Sequence, residues 1–138
     1  MFPLDRWYVG ALASELEGSS ALLGRTLLNQ KVVLFRDGQG RVAALEDRCV
    51  HRSLPLSMGQ VDEGRVRCGY HGLLFDAQGQ CVEIPGQAQV PAKARIAAYP
   101  AREQDGLVWL WFARAPGGQP SGEPPRYLHS LTHSATNM

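Results

Sequence analysis

The sequence has few cysteines, no long apolar run and almost no net charge. Three cysteines among 138 residues is an odd number, which argues against a secreted disulfide framework and predicts a reducing, cytoplasmic location. No stretch approaches the roughly 20 apolar residues that span a bilayer, and Met1–Asp5 has no signal-peptide layout. A net charge of +1 gives no electrostatic case for a nucleic-acid or anionic-membrane partner. We therefore expect no nucleic acid and no membrane among the partners.

The composition is that of one globular, turn-rich domain. Hydrophobic residues make up 44% and charged residues 20%, so the chain can build a core and is not a disordered protein. Fifteen glycines and nine prolines favour a β fold over a helical bundle. The length fits one domain with little left over for a second.

Short β-rich segments recur along the chain, separated by glycine, proline and polar turns. The pattern predicts strands at Trp7–Ala11, Arg25–Leu28, Lys31–Arg36, Arg41–Glu46, Gly64–Arg67, Leu73–Asp76, Cys81–Ile84, Arg95–Tyr99 and Gly106–Phe112. It also predicts a tight turn at Asn29 and Gln30, and a central strand at Gly106–Phe112, which is apolar on both faces. Ser14–Leu16 could form a short helix at most. The expected fold class is all-β, an antiparallel sandwich or barrel.

The character of the chain changes after Ala113. Residues 115–125 are rich in proline and glycine, which is the composition of a linker or tail. The expected organisation is a folded domain over residues 1–113 and a linker or disordered tail over residues 114–138.

Four of the seven cysteines and histidines form two compact pairs. Cys49 and His51 make one pair, and Cys68 and His71 make the other, each in a polar loop flanked by glycine or proline. Two such loops at one end of a β scaffold could each supply a thiolate and an imidazole to a metal centre. Tetrahedral zinc accepts this donor set. So does a Rieske [2Fe–2S] cluster, in which two histidines replace two cysteines on one iron.

The order of the ligands favours the cluster. Zinc fingers commonly keep their two cysteines together and their two histidines together, whereas here each motif runs cysteine, then histidine. Cys49-Val50-His51-Arg52 and Cys68-Gly69-Tyr70-His71-Gly72 resemble the two cluster-binding boxes of Rieske oxygenases. The resemblance covers roughly residues 2–115. The opening Trp7-Tyr8-Val9 and the form CGYHGL are most similar to vanillate O-demethylase oxygenase subunits.

This resemblance implies a fold, a cofactor and a function. The fold would be a Rieske-type antiparallel β-sandwich with two cluster-binding loops at one end, and the cofactor would be one Rieske [2Fe–2S] cluster. Cys49 and Cys68 would bind the buried iron, and His51 and His71 the outer iron. The domain would take one electron from a reductase or ferredoxin and pass it to the mononuclear iron of an oxygenase catalytic domain. A free-standing Rieske ferredoxin and a zinc-stabilised β interaction module remain alternatives.

The oxygenase chemistry itself is not expected of this chain. The resemblance implies a catalytic iron held by two histidines and a carboxylate, with an acidic residue three positions before the first histidine and the second histidine five after it. Around His133 those positions hold Ser130 and Met138, so His129 and His133 are expected to lie in a tail. The chain is therefore interpreted as an oxidoreductase component that is not catalytically competent alone, with no catalytic residues assigned.

The remaining candidates receive structural interpretations. Cys81 has no partner at ligand spacing and is expected to be a buried thiol, and Trp7, Trp109 and Trp111 are expected in the core. Arg52 could face a redox partner or brace its loop. Tyr70 could pack on the cluster edge or donate to a backbone group.

The expected redox potential is low within the Rieske range. Rieske proteins of respiratory complexes place hydroxyl donors just after the second histidine, whereas this sequence has Leu73 and Phe75 there. Because neither side chain can donate to a cluster sulfur, the reduced state is less stabilised. We predict a potential of roughly −150 to 0 mV.

Overall fold

The structure is a computed structural model that describes residues 3–49, 54–69 and 71–125. Within these ranges the chain forms strands and two short 3₁₀ helices. The strands are β1 Arg6–Leu12, β2 Leu22–Leu27, β3 Gln30–Arg36, β4 Val42–Glu46, β5 Gln60–Asp62, β6 Arg65–Arg67, β7 Leu74–Phe75, β8 Cys81–Glu83, β9 Ala98–Tyr99, β10 Ala101–Gln104 and β11 Leu107–Phe112. The 3₁₀ helices span Ala13–Leu16 and Leu56–Met58. No helix in these ranges is long and apolar enough to cross a membrane.

The strands form three antiparallel sheets. Their orders are β1-β11-β10, β2-β3-β4-β9 and β5-β6-β7-β8. The predicted all-β antiparallel class is thus confirmed. Strand β11 lies between β1 and β10, as its continuous apolar run predicts for a central strand.

The sheet β2-β3-β4-β9 lies between the two others and is buried on both faces. Val33 and Phe35 of β3 belong to an apolar cluster shared with Val66 and Phe75 of the β5-β8 sheet. The alternate residues of β3 join a second cluster with the β1-β11-β10 sheet. Because side chains of a strand point alternately to opposite faces, β3 serves two cores. The sandwich therefore gains a third layer, and this layer, β5-β8, carries the second cysteine–histidine pair.

The β2–β3 turn differs by one residue from the prediction. Leu27 pairs with Gln30, so the turn consists of Leu28 and Asn29, with φ of 52° and 63°. A two-residue hairpin of this type needs positive φ at both central positions. Asparagine tolerates that conformation and leucine does not favour it, which is why the sequence pattern placed the turn one residue too late.

Two strands were not predicted, and others have different lengths. Strands β5 and β10 are short and mostly polar, so they lack the apolar alternation that identifies a half-buried strand. Strand β2 starts three residues earlier than predicted. The predicted strand Arg95–Tyr99 is regular only at Ala98 and Tyr99.

Residues 114–125 contain no strand but contact the β1-β11-β10 sheet. The Nε1–H of Trp7 donates to the carbonyl oxygen of Gly122 at 2.9 Å. The side-chain amide of Gln104 donates to the carbonyls of Pro124 and Pro125 at 3.1 and 3.0 Å. The segment therefore crosses from β1 to β10. The division at residue 113 and the linker interpretation remain predictions.

Candidate metal centre

Two loops carry the predicted ligands. Loop 1, residues 47–59, connects β4 to β5, and loop 2, residues 68–73, connects β6 to β7. Cys49 and Cys68 lie near the start of their loops and are 2% and 3% exposed, whereas His71 is exposed. His51 lies outside the described residues. The structure thus has both thiols inside the protein and the one described imidazole at its surface.

The same backbone hydrogen bond closes both loops. The amide of Cys49 donates to the carbonyl oxygen of Leu54 at 2.7 Å, and the amide of Cys68 donates to that of Leu73 at 2.7 Å. In each loop the acceptor is five residues after the cysteine, and the histidine of the pair falls between them in sequence. Because the same hydrogen bond fixes the amide of each cysteine, Cys49 and Cys68 occupy equivalent backbone positions in their loops.

The two loops touch through glycine. A Cβ atom on Gly59 would lie 2.0 Å from the carbonyl oxygen of Arg67 and 3.2 Å from the amide nitrogen of Gly69. A Cβ on Gly69 would lie 3.1 Å from the carbonyl oxygen of Met58. Since real Cβ atoms do not approach backbone oxygen to 2.0 Å, only glycine at position 59 allows this contact. The contact holds the end of loop 1 against the residue before Cys68.

A buried carboxylate fixes the rest of loop 1. Asp47 is 9% exposed and lies two residues before Cys49. Its Oδ1 accepts the backbone N–H of Ser57 at 2.8 Å, and its Oδ2 accepts the Ser57 hydroxyl at 2.6 Å. Hydrogen bonds to a charged group are stronger than neutral ones. The two ends of loop 1 are therefore joined by one side-chain pair.

This arrangement fits a Rieske cluster in the chemistry and burial of its donors. In a Rieske cluster two cysteine thiolates bind one iron and two histidine imidazoles bind the other, and the resemblance implies that the cysteine-bound iron is the buried one. Buried Cys49 and Cys68 and exposed His71 follow that division. Within the described ranges, no group of three or more His, Cys, Asp or Glu side chains is close enough to hold a single metal ion.

Cys81 is a buried thiol within the core. It belongs to the apolar cluster of the β5-β8 sheet, and its Sγ lies 3.5 Å from the carbonyl oxygen of Glu83. Burial raises the pKa of the Cys81 thiol above its ordinary value.

The tryptophans lie on the far side of the molecule from this core. Trp109 and Trp111 are buried, but they alternate with the β11 residues that enter the second apolar cluster. Trp7 is half-buried and meets Trp111 edge to face, with ring centroids 5.5 Å apart.

Four other candidates lie outside the described residues: Arg52, Tyr70, His129 and His133.

Sequence reasoning did not identify Arg67, Asp47 or Ser57 as parts of the site. Arg67 directly precedes Cys68, and Asp47 lies two residues before Cys49. A charged residue one or two positions before each predicted cysteine ligand was the available signal. Their partners are between five and sixteen residues away in sequence, so the pairing emerges only with the fold.

The comparison with protein families decides the assignment. The model described as the Rieske [2Fe-2S] domain matches residues 6–100. The chain belongs to this family. The family implies the Rieske [2Fe–2S] cluster that the sequence predicted as cofactor.

Similar proteins are oxygenase components. The iron-sulfur subunit of the toluene-4-sulfonate monooxygenase system of Comamonas testosteroni is 53% identical over 81% of this chain and 32% of that protein. A vanillate O-demethylase oxygenase subunit of Pseudomonas sp. strain HR199 is 40% identical over 94% of this chain and 34% of that protein. The predicted resemblance to vanillate O-demethylase subunits is confirmed, and the toluene-4-sulfonate subunit is more similar still.

A solved structure shares the fold as well. The crystal structure of dicamba monooxygenase bound to dicamba matches with a TM-score of 0.80 and 41% identity, over 90% of this chain and 37% of that one. The chain thus spans about a third of the length of the relatives it matches. It is homologous to the Rieske part of aromatic oxygenase and O-demethylase subunits.

Proposed function

We propose that Cys49, His51, Cys68 and His71 hold the Rieske cluster. The cysteines supply two thiolates from inside the protein, and the histidines supply two imidazoles at its surface. When bound, the cluster provides a one-electron redox centre. The buried positions of the two thiols exclude water from one side of the site, and the exposed position of His71 leaves the other side accessible to a partner protein.

The paired loop geometry is the observation that carries this proposal. Two separate loops, one between β4 and β5 and the other between β6 and β7, each fix a buried cysteine through a hydrogen bond from its amide to the carbonyl five residues later. They meet at Gly59 and Gly69, where a side chain on Gly59 would collide with backbone. A pair of accidental cysteine–histidine motifs would require no such matching support.

We further propose that the domain serves an aromatic-ring or O-demethylase-type oxygenase. It accepts one electron from a reductase or ferredoxin and passes it to a mononuclear iron in an oxygenase catalytic domain. The relatives named for toluene-4-sulfonate monooxygenase and vanillate O-demethylase support this class of parent enzyme. A cytoplasmic location, as the cysteine count predicts, fits these bacterial relatives.

Purification and spectroscopy test the ligand assignment. We expect a red-brown protein with two irons and two sulfides per chain and a rhombic EPR signal after dithionite reduction. Cys49→Ser, His51→Ala and His71→Cys should each lose that signal, whereas His129→Ala and His133→Ala are matched histidine controls that should keep it. A colourless wild-type protein with stoichiometric zinc would refute the cluster, and an unchanged signal in one variant would remove that residue as a ligand.

The parent enzyme requires a separate test. The oxygenase interpretation predicts that the DNA downstream of codon 138 encodes a continuing frame with an Asp/His/His iron site. A stop codon followed by an unrelated gene would favour a free-standing Rieske ferredoxin, which would use the same four ligands as an electron carrier.

A further inference from the structure

Arg67 occupies an unusual place beside loop 2. It is the last residue of β6 and directly precedes Cys68. Its Nη1 donates to the carbonyl oxygen of Gly72 at 2.8 Å, and Gly72 directly follows His71. One side chain therefore joins the two ends of the segment that contains the predicted ligands Cys68 and His71.

Two carboxylates orient the Arg67 guanidinium. Its Nη2 lies 2.8 Å from Oδ2 of Asp62 on β5, and its Nη1 lies 3.1 Å from Oε2 of Glu83 on β8. An arginine guanidinium stays protonated in proteins, so Arg67 carries a fixed positive charge between these two carboxylates. Both carboxylates are substantially exposed, so the pairs contribute little to overall stability. Their effect is to hold the planar guanidinium in an orientation in which its N–H donors face loop 2.

Loop 2 is short and turns sharply, with few other bonds that are described. Apart from Arg67, it is closed by the amide of Cys68 donating to Leu73 and the amide of Gly72 donating to Cys68, at 2.7 and 3.1 Å. Gly72 has φ of 75°, the left-handed conformation that glycine adopts without strain. The Arg67 bond fixes the orientation of the Gly72–Leu73 peptide group, which begins one residue after His71.

We propose that Arg67 is a positioning residue of the cluster site, which holds the backbone of loop 2 and thereby the His71 imidazole. This inference rests on the proposed ligand set. A second consequence is electrostatic. With Arg67 present, the local group of Arg67, Asp62 and Glu83 sums to one negative charge, and with a neutral residue it sums to two. Because additional negative charge opposes the uptake of an electron, a neutral residue should lower the potential.

Arg67→Gln and Arg67→Lys separate the two effects. Glutamine removes both the positive charge and the planar guanidinium, whereas lysine keeps the positive charge on a compact ammonium group. We expect Arg67→Gln to lose its cluster about tenfold faster in the presence of a chelator, to broaden the EPR signal and to lower the midpoint potential. Arg67→Lys should restore the potential and leave the cluster loss fast.

Arg36→Gln is the matched control. Arg36 is also partly buried, donates to the carbonyls of Leu16 and Gly40, and pairs with Glu103. It lies at the end of β3 that pairs with the start of β4, away from loop 1. Arg36→Gln should leave the EPR signal and the potential unchanged. Wild-type behaviour of both Arg67 variants, or equal changes in Arg36→Gln, would overturn the proposal.

Hydrogen exchange provides a readout that needs no cluster. The peptide that contains residues 68–73 should exchange faster in Arg67→Gln than in the wild type, and not faster in Arg36→Gln. If the wild type contains no iron, the proposed function fails. Independently of that result, equal hydrogen exchange of this peptide in the wild type, Arg67→Gln and Arg36→Gln would refute the role of Arg67. If Arg67→Gln does not fold, Asp62→Asn keeps Arg67 but removes one group that orients it, and it should reproduce the faster cluster loss.

Discussion

The carboxylate of Asp47 accepts both the backbone amide and the side-chain hydroxyl of Ser57. These residues are ten positions apart and lie on either side of the segment that contains Cys49. Because Asp47 is nearly buried, its charge is compensated by directed hydrogen bonds rather than by water. The first ligand loop is thus closed by a side-chain pair, and the second by the Arg67 bond to Gly72.

Removing this carboxylate should weaken cluster retention. Asp47→Ala leaves the Ser57 amide and hydroxyl without their acceptor, at a cost of about 3–6 kcal/mol for two charge-assisted bonds. We expect at least tenfold faster bleaching of the visible absorbance at a fixed temperature. Asp37→Ala is the control, since Oδ1 of Asp37 likewise accepts two backbone amides in the β3–β4 hairpin. Equal bleaching rates in the two variants would show that Asp47 has no particular role at the site.

A methyl group at Gly59 should prevent the two ligand loops from meeting. The added Cβ would lie 2.0 Å from the Arg67 carbonyl oxygen, so one backbone must move. We expect Gly59→Ala to be purified with little or no iron and sulfide. Gly122→Ala, where an added Cβ meets nothing within 4 Å, should retain a full complement. A Gly59→Ala protein with normal iron content would contradict the described loop contact.

Features that depend on neighbouring residues alone could be predicted from the sequence. The central position of β11 follows from six consecutive apolar residues, and the ligand pairs follow from residue type and spacing. The turn at Leu28 was missed because leucine adopts positive φ there only as part of the hairpin. Strand β10 was missed because its residues are mostly polar and its pairing with β11 is long-range information.

The support of the metal centre could not be predicted for the same reason. Asp47 and Arg67 are ordinary charged residues in the sequence, and their roles depend on which carbonyl or hydroxyl the fold brings to them. The need for glycine at position 59 likewise comes from a strand eight residues later in the chain. Candidate ligands can therefore be proposed from sequence, whereas the residues proposed to position them emerge only with the tertiary structure.

The predicted low potential can be tested by adding one hydroxyl. The wild-type midpoint should fall at roughly −150 to 0 mV, and a value above about +150 mV would reject this tuning argument. Phe75→Tyr introduces a donor after the second ligand loop and should raise the midpoint, by about 40 mV for a bond worth about 1 kcal/mol. Phe35→Tyr is the control, because Phe35 is equally buried in the same apolar cluster. A redox titration followed by EPR measures all three proteins, and a rise of the same size in both variants would contradict a specific bond.

Cys81 should be inert in the folded protein. Because burial raises its pKa, the thiol stays protonated at pH 8, and its nucleophilic thiolate form is scarce. Native protein treated with iodoacetamide should show no label at Cys81 by mass spectrometry, whereas denatured protein should be labelled. The raised pKa also means that this residue's contribution to stability is complete below the unfolded pKa and declines as pH rises through the folded value. Rapid native labelling at pH 8 would disprove its burial.

The contacts of residues 114–125 predict that this segment is held against the sheet. The amide of Arg114 donates to Oδ1 of Asp5, and further along the Trp7 indole donates to Gly122. Trp7→Phe keeps an aromatic ring against Trp111 but loses this donor. We therefore expect trypsin to cut after Arg114 several-fold faster in Trp7→Phe than in the wild type, because cleavage requires the segment to leave the sheet.

Trp109→Phe is the matched control for this experiment. It removes a similar volume of ring from the same face of the β1-β11-β10 sheet, but the Trp109 Nε1–H has no hydrogen-bond partner within the described part of the chain. Cleavage in Trp109→Phe should therefore stay close to the wild-type rate, whereas Gln104→Leu, which loses the bonds to Pro124 and Pro125, should resemble Trp7→Phe. If trypsin cuts the wild type and the three variants equally fast, the segment is a free linker, as its composition alone suggests. The contacts of Trp7 and Gln104 would then not fix the path of residues 114–125 along the sheet.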